Sequence, residues 1–275
     1  MKRTMAALIL VLSATAAYAD FAVDLPIVTH TTGVSTTFYT ALDVTNHTSQ
    51  SATVDFEYIA NDLSVSISGR LATLGAYGNF HTDDILPYLA SQSFITASQA
   101  NGFGTLLITF TNASFVTGNE ASVTARIYNF LNAGQQPSVG LAYRGVALRK
   151  NGDHILNSVI TNTSNATGTN AKMITNVGLE NVGFDDADSL QQAVITLKLT
   201  FYDPATGNVV GSQPTFTLAP GQVVQINDVW KTASLPADAT SLVMNVTETA
   251  GTAQIRGYVV VKDTSTNDGA FFFME

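Results

Sequence analysis

Four histidines, no cysteine and a cluster of acids are what this sequence of 275 residues offers to chemistry. His30, His47, His81 and His154 fall into neither an HxH nor an HExxH spacing, so no zinc motif is present. The lack of cysteine removes thiolate ligands, disulfides and cysteine nucleophiles together. No G-x-S-x-G elbow would present a nucleophilic serine. His81 is followed closely by Asp83 and Asp84, which would bring an imidazole and carboxylates together. The plainer reading of the same residues is a loop ending in a helix N-cap. Asp185, Asp186 and Asp188, with Glu180 nearby, gather hard oxygen donors, and calcium is the cation such a set would take. Their spacing is not that of an EF-hand loop, and a solvated acidic loop has the same pattern. No other cofactor is implied. Among the aromatics, Trp230 and Tyr77 join His81 as candidate ligand-binding residues, since exposed rings would stack on sugars. Large apolar side chains more often pack in cores, and the same holds for Tyr39, Phe80, Tyr143 and the run Phe271–Phe273. Alternation along that run would expose at least one ring unless another part of the chain or a partner covers it.

The elements that must position these residues are strands. Val54, Phe56 and Tyr58 alternate with Asp55 and Glu57, the period-2 stripe of a half-buried strand. Leu63, Val65 and Ile67 extend the pattern and predict another strand over 63–67. Phe216–Trp230 (FTLAPGQVVQINDVW) has a counterpart in Leu71–Leu86 (LATLGAYGNFHTDDIL). Leu74, Phe80, Asp84 and Ile85 fall against Leu218, Val224, Asp228 and Val229. Thr40–Asn46 likewise falls against Thr175–Asn181, and Ser51–Tyr58 against Ala193–Tyr202. The shared Asp followed by a branched residue predicts a capped turn of helix in each copy. Asp203-Pro-Ala-Thr-Gly207 predicts a tight turn. These parallels predict two copies of one β module, with the boundary in the turn Lys150–Asp153.

Residues 1–19 read as a secretory signal. Lys2 and Arg3 precede a short apolar run that ends in Ala17-Tyr18-Ala19, which predicts cleavage before Asp20. Export follows, to the periplasm, the extracellular space or the cell surface. Charged residues make up 12% of the chain, against about a quarter in ordinary soluble domains, and Thr, Ser, Asn and Gly fill the surface instead. The net charge of −9 repels phosphate backbones and argues against a nucleic-acid partner. No later stretch is apolar enough to span a bilayer.

The order strand, strand, Leu218-Ala219-Pro220-Gly221, strand, Asn227-Asp228-Val229 resembles the Ig-like modules found in tandem in secreted bacterial proteins, including CARDB-like adhesion modules. The resemblance covers residues 172–262 and, more loosely, 37–130. In the first copy, Leu74-Gly75-Ala76-Tyr77-Gly78 stands where the Pro-Gly turn would be. What it implies is an extracellular setting and an all-β fold of two tandem Ig-like antiparallel β-sandwich domains, residues 20–150 and 151–275. Such folds host many functions. The expectation is a non-enzymatic surface, matrix or adhesion protein whose partners are extracellular proteins, glycans or itself. A pair of carbohydrate-binding modules and a self-assembling filament or layer subunit are the alternatives.

Overall fold

The computed structural model describes residues 21–32, 37–111, 120–129, 139–147, 155–161, 173–183, 193–263 and 269–274. The expected signal, the boundary turn at 150–153 and Asp185, Asp186 and Asp188 lie outside the described residues. The fold is all-β, antiparallel and sandwich-like.

The N-terminal half contains β1 (Phe21–Thr32), β2 (Thr37–Asn46), β3 (Ala52–Ala60), β4 (Ser66–Leu74), β5 (Asn79–Thr82), α1 (Ile85–Ser91), β6 (Gly102–Thr111), β7 (Ala121–Asn129), β8 (Val139–Arg144) and β9 (Val146–Ala147). Its strands follow the order β4-β3-β6-β1-β2-β7-β8, with β5 beside β2 and β9 beside β1. β1 pairs with β6 from Phe21 to His30, with an irregularity between Leu25 and Val28, and its last two residues form a hairpin with β2, Thr31 opposite Phe38. One strand thus passes from one layer to the other. The C-terminal half contains β10 (Ile155–Thr161), β11 (Met173–Asn181), β12 (Ile195–Tyr202), β13 (Thr215–Leu218), β14 (Val223–Ile226), α2 (Val229–Thr232), β15 (Ser241–Ala250), β16 (Ile255–Asp263) and β17 (Gly269–Phe273). These form two sheets, β10-β15-β12-β13 and β14-β11-β16-β17. The order β4-β3-β6-β1 matches β13-β12-β15-β10 position by position, and β5-β2-β7-β8 matches β14-β11-β16-β17.

Alternation explains the layers. On β3, Val54, Phe56 and Tyr58 are buried while Thr53, Asp55 and Glu57 are not; on β12, Ile195, Leu197, Leu199 and Phe201 are buried in turn. The expected strand over 63–67 is shorter at its start. Leu63 takes a left-handed φ of 60° in the turn after β3, and β4 begins only at Ser66. A leucine there contributes its apolar character to a corner, which periodicity alone does not register.

At the end of β2 and of β11 stands a buried asparagine. Asn46 donates its side-chain amide to the carbonyls of Gln50 (2.7 Å) and Gly75 (2.9 Å) and accepts from the Thr48 amide (3.0 Å). Asn181 donates to the carbonyls of Ala193 (3.0 Å) and Leu218 (3.1 Å) and accepts from the Gly183 amide (3.0 Å). Each ties the end of its strand to the loop across the sandwich and to the strand that ends there.

The halves meet through β8, β16 and β17. The Phe271 ring lies between Tyr143, at 4.5 Å and 13°, and Tyr258, at 5.0 Å and 19°. Tyr258 fits over β11 because position 178 is glycine: a Cβ there would sit 2.0 Å from the tyrosine ring. Phe273 meets Tyr143 edge-on, and both phenylalanines pack on the core of the N-terminal half. Thr105 Oγ1 donates to the Gly221 carbonyl and Gln222 Nε2 to the Asn61 carbonyl, each at 3.2 Å. The expected cover over Phe271 and Phe273 is therefore the N-terminal half itself.

Asn181→Ala removes three hydrogen bonds and leaves buried carbonyls unpaired, so we expect a loss of about 3 kcal/mol. Urea unfolding of this variant measures it; a change below about 0.5 kcal/mol, the size of an ordinary surface substitution, would show that the amide is not needed.

Candidate functional site

Ionisable groups collect in two places. The first is a face of the N-terminal half built from β1, β2, β5, β7 and the start of α1. The register places His81 opposite Asp43 on adjacent strands. His81 Nδ1 lies 2.7 Å from Asp43 Oδ1, and its Nε2 lies 3.1 Å from Asp83 Oδ1. A carboxylate only accepts, so the imidazole satisfies both contacts at once only when both ring nitrogens carry a proton. The two carboxylate hydrogen bonds, Asp43 first, raise the His81 pKa. Beside it, His30 Nδ1 lies 2.5 Å from Asp84 Oδ2. Burial raises the Asp84 pKa, against the opposing pull of His30.

This changes the expected role of Asp84. It stands at the start of α1 with extended backbone, but its side chain makes no capping bond; it reaches β1 instead. Its counterpart Asp228 does cap α2, accepting from the Lys231 amide at 3.4 Å. Aromatic rings link the two histidine pairs. Tyr39 and Tyr128, opposite each other on β2 and β7, stack at 5.6 Å, and His30 meets Tyr39 edge-on at 5.3 Å. The Tyr128 hydroxyl donates to the Asp83 carbonyl (2.8 Å), and the Arg126 guanidinium lies 5.9 Å from the Tyr128 ring. Among the described residues, no serine or threonine hydroxyl is hydrogen-bonded to either imidazole that faces Asp84 or Asp43, and no group of three or more His, Asp or Glu is placed to hold a metal ion.

The second collection is buried where the halves meet. Glu180 on β11 and Arg256 on β16 are cross-strand partners, and Asp24 of β1 faces them; all three are buried. Burial raises the Asp24 pKa to about 6, against the lowering field of Arg256 and a hydrogen bond from Glu180. Burial and the neighbouring Asp24 charge push Glu180 well above its usual range. The two acids are thus pressed toward sharing one proton, Glu180 being the more strongly raised, while the Arg256 field favours a charge on Asp24. Tyr143 and Tyr258 close the surroundings, both raised by burial. Among the described residues, Asp24 Oδ2 and Glu180 Oε2 have no hydrogen-bond partner. Spacing alone grouped Glu180 with the acidic stretch at 185–188; the register puts it inside instead. The signal for it is an acid and an arginine each set among the apolar residues of a strand, Gly178-Leu179-Glu180 and Ile255-Arg256-Gly257.

The other expected site residues within the described part, Trp230 and Tyr77, lie apart from these clusters. Trp230 is buried in the core of the C-terminal half, its indole Nε1 donating to the Pro236 carbonyl at 3.1 Å, and it offers no open ring face to a ligand. Tyr77 is 70% exposed, on the turn between β4 and β5, with a left-handed φ of 53°. Of Trp230, Tyr77 and His81, only His81 belongs to a cluster.

No family model matches the chain, and no curated protein matches it. Among solved structures it is similar to Bacteroides uniformis β-glucuronidase 2 covalently bound to cyclophellitol-6-carboxylate aziridine, with 13% identity over 92% of this chain and 25% of that one and a TM-score of 0.17. A calcium-binding mutant of the same enzyme aligns with 11% identity over 92% and 26% of the two chains and a TM-score of 0.18. The chain spans about a quarter of the length of these enzymes. What its own topology defines is an all-β antiparallel sandwich-like protein, and at such scores neither likeness assigns it a substrate. Among the described residues no helix is long and apolar enough to cross a membrane.

Asp24, Glu180 and His81 all bind protons more tightly folded than unfolded. Their contribution to stability is complete below the unfolded pKa and is lost as pH rises through the folded one. For Asp24 that window runs from 3.8 to about 6, and Glu180 extends it upward. We expect the melting midpoint to fall as pH rises across this range, and Glu180→Gln, which keeps a donor without an ionisable proton, to flatten the slope. A variant whose slope equals that of the wild type would remove Glu180 as the cause. In NMR titration of the ring protons, Asp43→Asn should lower the His81 pKa; an unchanged value would contradict the bridge.

Proposed function

We propose that this chain is an exported, non-enzymatic protein of surface, matrix or adhesion type, built from two copies of one Ig-like sandwich module with a boundary near residue 150. The matching strand orders and the paired roles of Asn46 and Asn181 support the duplication. The signal-like residues 1–19 and the surface poor in charge support export. One observation carries the functional reading: the concave surface of about 450 Å³ beside β10 and β17 is lined by Ser158, Val159, Thr161, Val261, Ala270 and Phe272, with no ionisable group among them. That lining suits contact with another polypeptide, and its hydroxyls, on Ser158 and Thr161, have no acid or base beside them in the lining to activate them. The groups that would have to react are tied to one another, His81 between two carboxylates and Glu180 to Asp24.

Incubation of the purified protein with panels of glycans and peptides should give no turnover. Turnover with a defined pH optimum that is lost in His30→Gln would overturn the reading. A carbohydrate-binding role is the second reading, favoured by the exposure of Tyr77 at a turn. Glycan-array binding that disappears in Tyr77→Ala would establish it; an array without hits would end it.

A further inference from the structure

The two halves treat the same edge differently. In the N-terminal half β1 crosses into the second layer, and β9 pairs along its other side, Val146 opposite Asp24 and Ala147 opposite Val23. That side of the sandwich is closed by the chain's own strands, and Val23 and Leu25 are buried. In the C-terminal half the matching strand is β10, which pairs only with β15 among the described residues. No described strand lies where β9 would be, and the apolar groove opens there between β10 and β17. Ile155 is 55% exposed, Val159 61% and Phe272 54%.

Edge strands expose a row of unpaired N–H and C=O groups, and proteins blunt them with charge, bulges or short length. The other edges follow that rule. β4 carries Arg70, ion-paired with Asp55 at 2.9 Å, and a register shift in its pairing with β3. β5, β13 and β14 are four residues each, and β8 lies against β17. β10 reads Ile-Leu-Asn-Ser-Val-Ile-Thr: seven residues with no charge, no proline and no glycine.

We propose that β10 is a strand-addition edge at which a second copy of this chain pairs, β10 antiparallel to β10 about a two-fold axis through Ser158. This rests on the structural reading given above and names its partner. In that register Leu156 stands opposite Ile160 of the second copy, Asn157 opposite Val159, and Ile155 opposite Thr161. Residues of one face meet residues of the same face, so the buried Leu156 and Ile160 extend the inner layer while the exposed Ile155 and Val159 are covered. A second β10 brings a matching edge, which among the described residues is open on its side away from β15. Charge also favours self-pairing. The chain is strongly acidic at −9, yet neither β10 nor the groove lining holds an ionised group, so two copies meet without opposed carboxylates at the contact. The repulsion left is long-range and is screened by salt.

Sedimentation of the full chain over a wide concentration range tests this. We expect a monomer–dimer equilibrium that tightens as salt is raised. Val159→Lys should weaken it by more than about tenfold by burying an unpaired charge. Val209→Lys, an exposed position off this edge, should leave the equilibrium unchanged. Because the chain has no cysteine, Ser158→Cys gives one thiol per copy, and mild oxidation should link copies through it at the dimer concentration. A wild type that stays monomeric at every concentration overturns the proposal, as does a dimer indifferent to Val159→Lys or a groove that takes up only a foreign peptide strand. Each of these leaves the non-enzymatic reading standing; catalytic turnover would overturn that reading whatever the oligomeric state.

Discussion

Arg256 is a cation withdrawn from water, and its compensation comes from both halves of the chain. Burial pushes its cross-strand partner Glu180 well above the usual carboxylate range, and Asp24 on β1, whose pKa the Arg256 field lowers against burial, faces it from the other half. Drawing the halves apart would take the Asp24 carboxylate away from Arg256 and open a buried cation to water. The aromatic stack of Tyr143, Phe271 and Tyr258 surrounds this junction and keeps water from it. Charge fixes where β1 must meet β11 and β16, and the rings then fill the space. In a chain without disulfides, this is how two sets of strands acquire a defined relation.

The same junction bears on the edges. By turning Phe271 and Phe273 toward the N-terminal half, β17 covers β8. The alternation of a strand then obliges Phe272 to point the other way, into the opening beside β10. A three-phenylalanine run thus serves one contact within the chain and leaves one ring for a contact outside it. The exposed groove is a geometric consequence of closing the junction, and β9 shows, on the matching edge, how such a side looks when strands fill it.

Much of the fold was legible because its signals are local. Val54, Phe56 and Tyr58 alternate within one strand, Asp203 to Gly207 form the tight turn their types demand, and Asp228 caps the helix that follows it. The clusters were less legible because their members are distant. His30 and Asp84 are 54 residues apart, and Asp24, Glu180 and Arg256 come from three strands. Asp84 looked like a cap from its neighbours alone; only the return of β1 past the helix start supplies the imidazole that draws its carboxylate away. Trp230 stood out as the single tryptophan, but rarity is a property of composition, and a core takes rare residues as readily as common ones.

What differs between matching positions is the means of holding the helix start to the neighbouring strand. At α2 a neutral amide serves: Asn176 Oδ1 accepts from the Asp228 backbone N–H at 2.9 Å. At α1 the tie is the ionisable pair His30–Asp84, and next to it His81 joins β5 to both β2 and the loop before the helix. Gln225 and Asn227, which occupy the places of His81 and Asp83, bond to each other without any charge, at 2.8 Å. One scaffold therefore holds its helix by proton-dependent contacts in one half and proton-independent ones in the other. The buried Asp24 of β1 and Glu180 of β11 carry the same dependence into the junction, since ionising both as pH rises sets two carboxylates against one guanidinium.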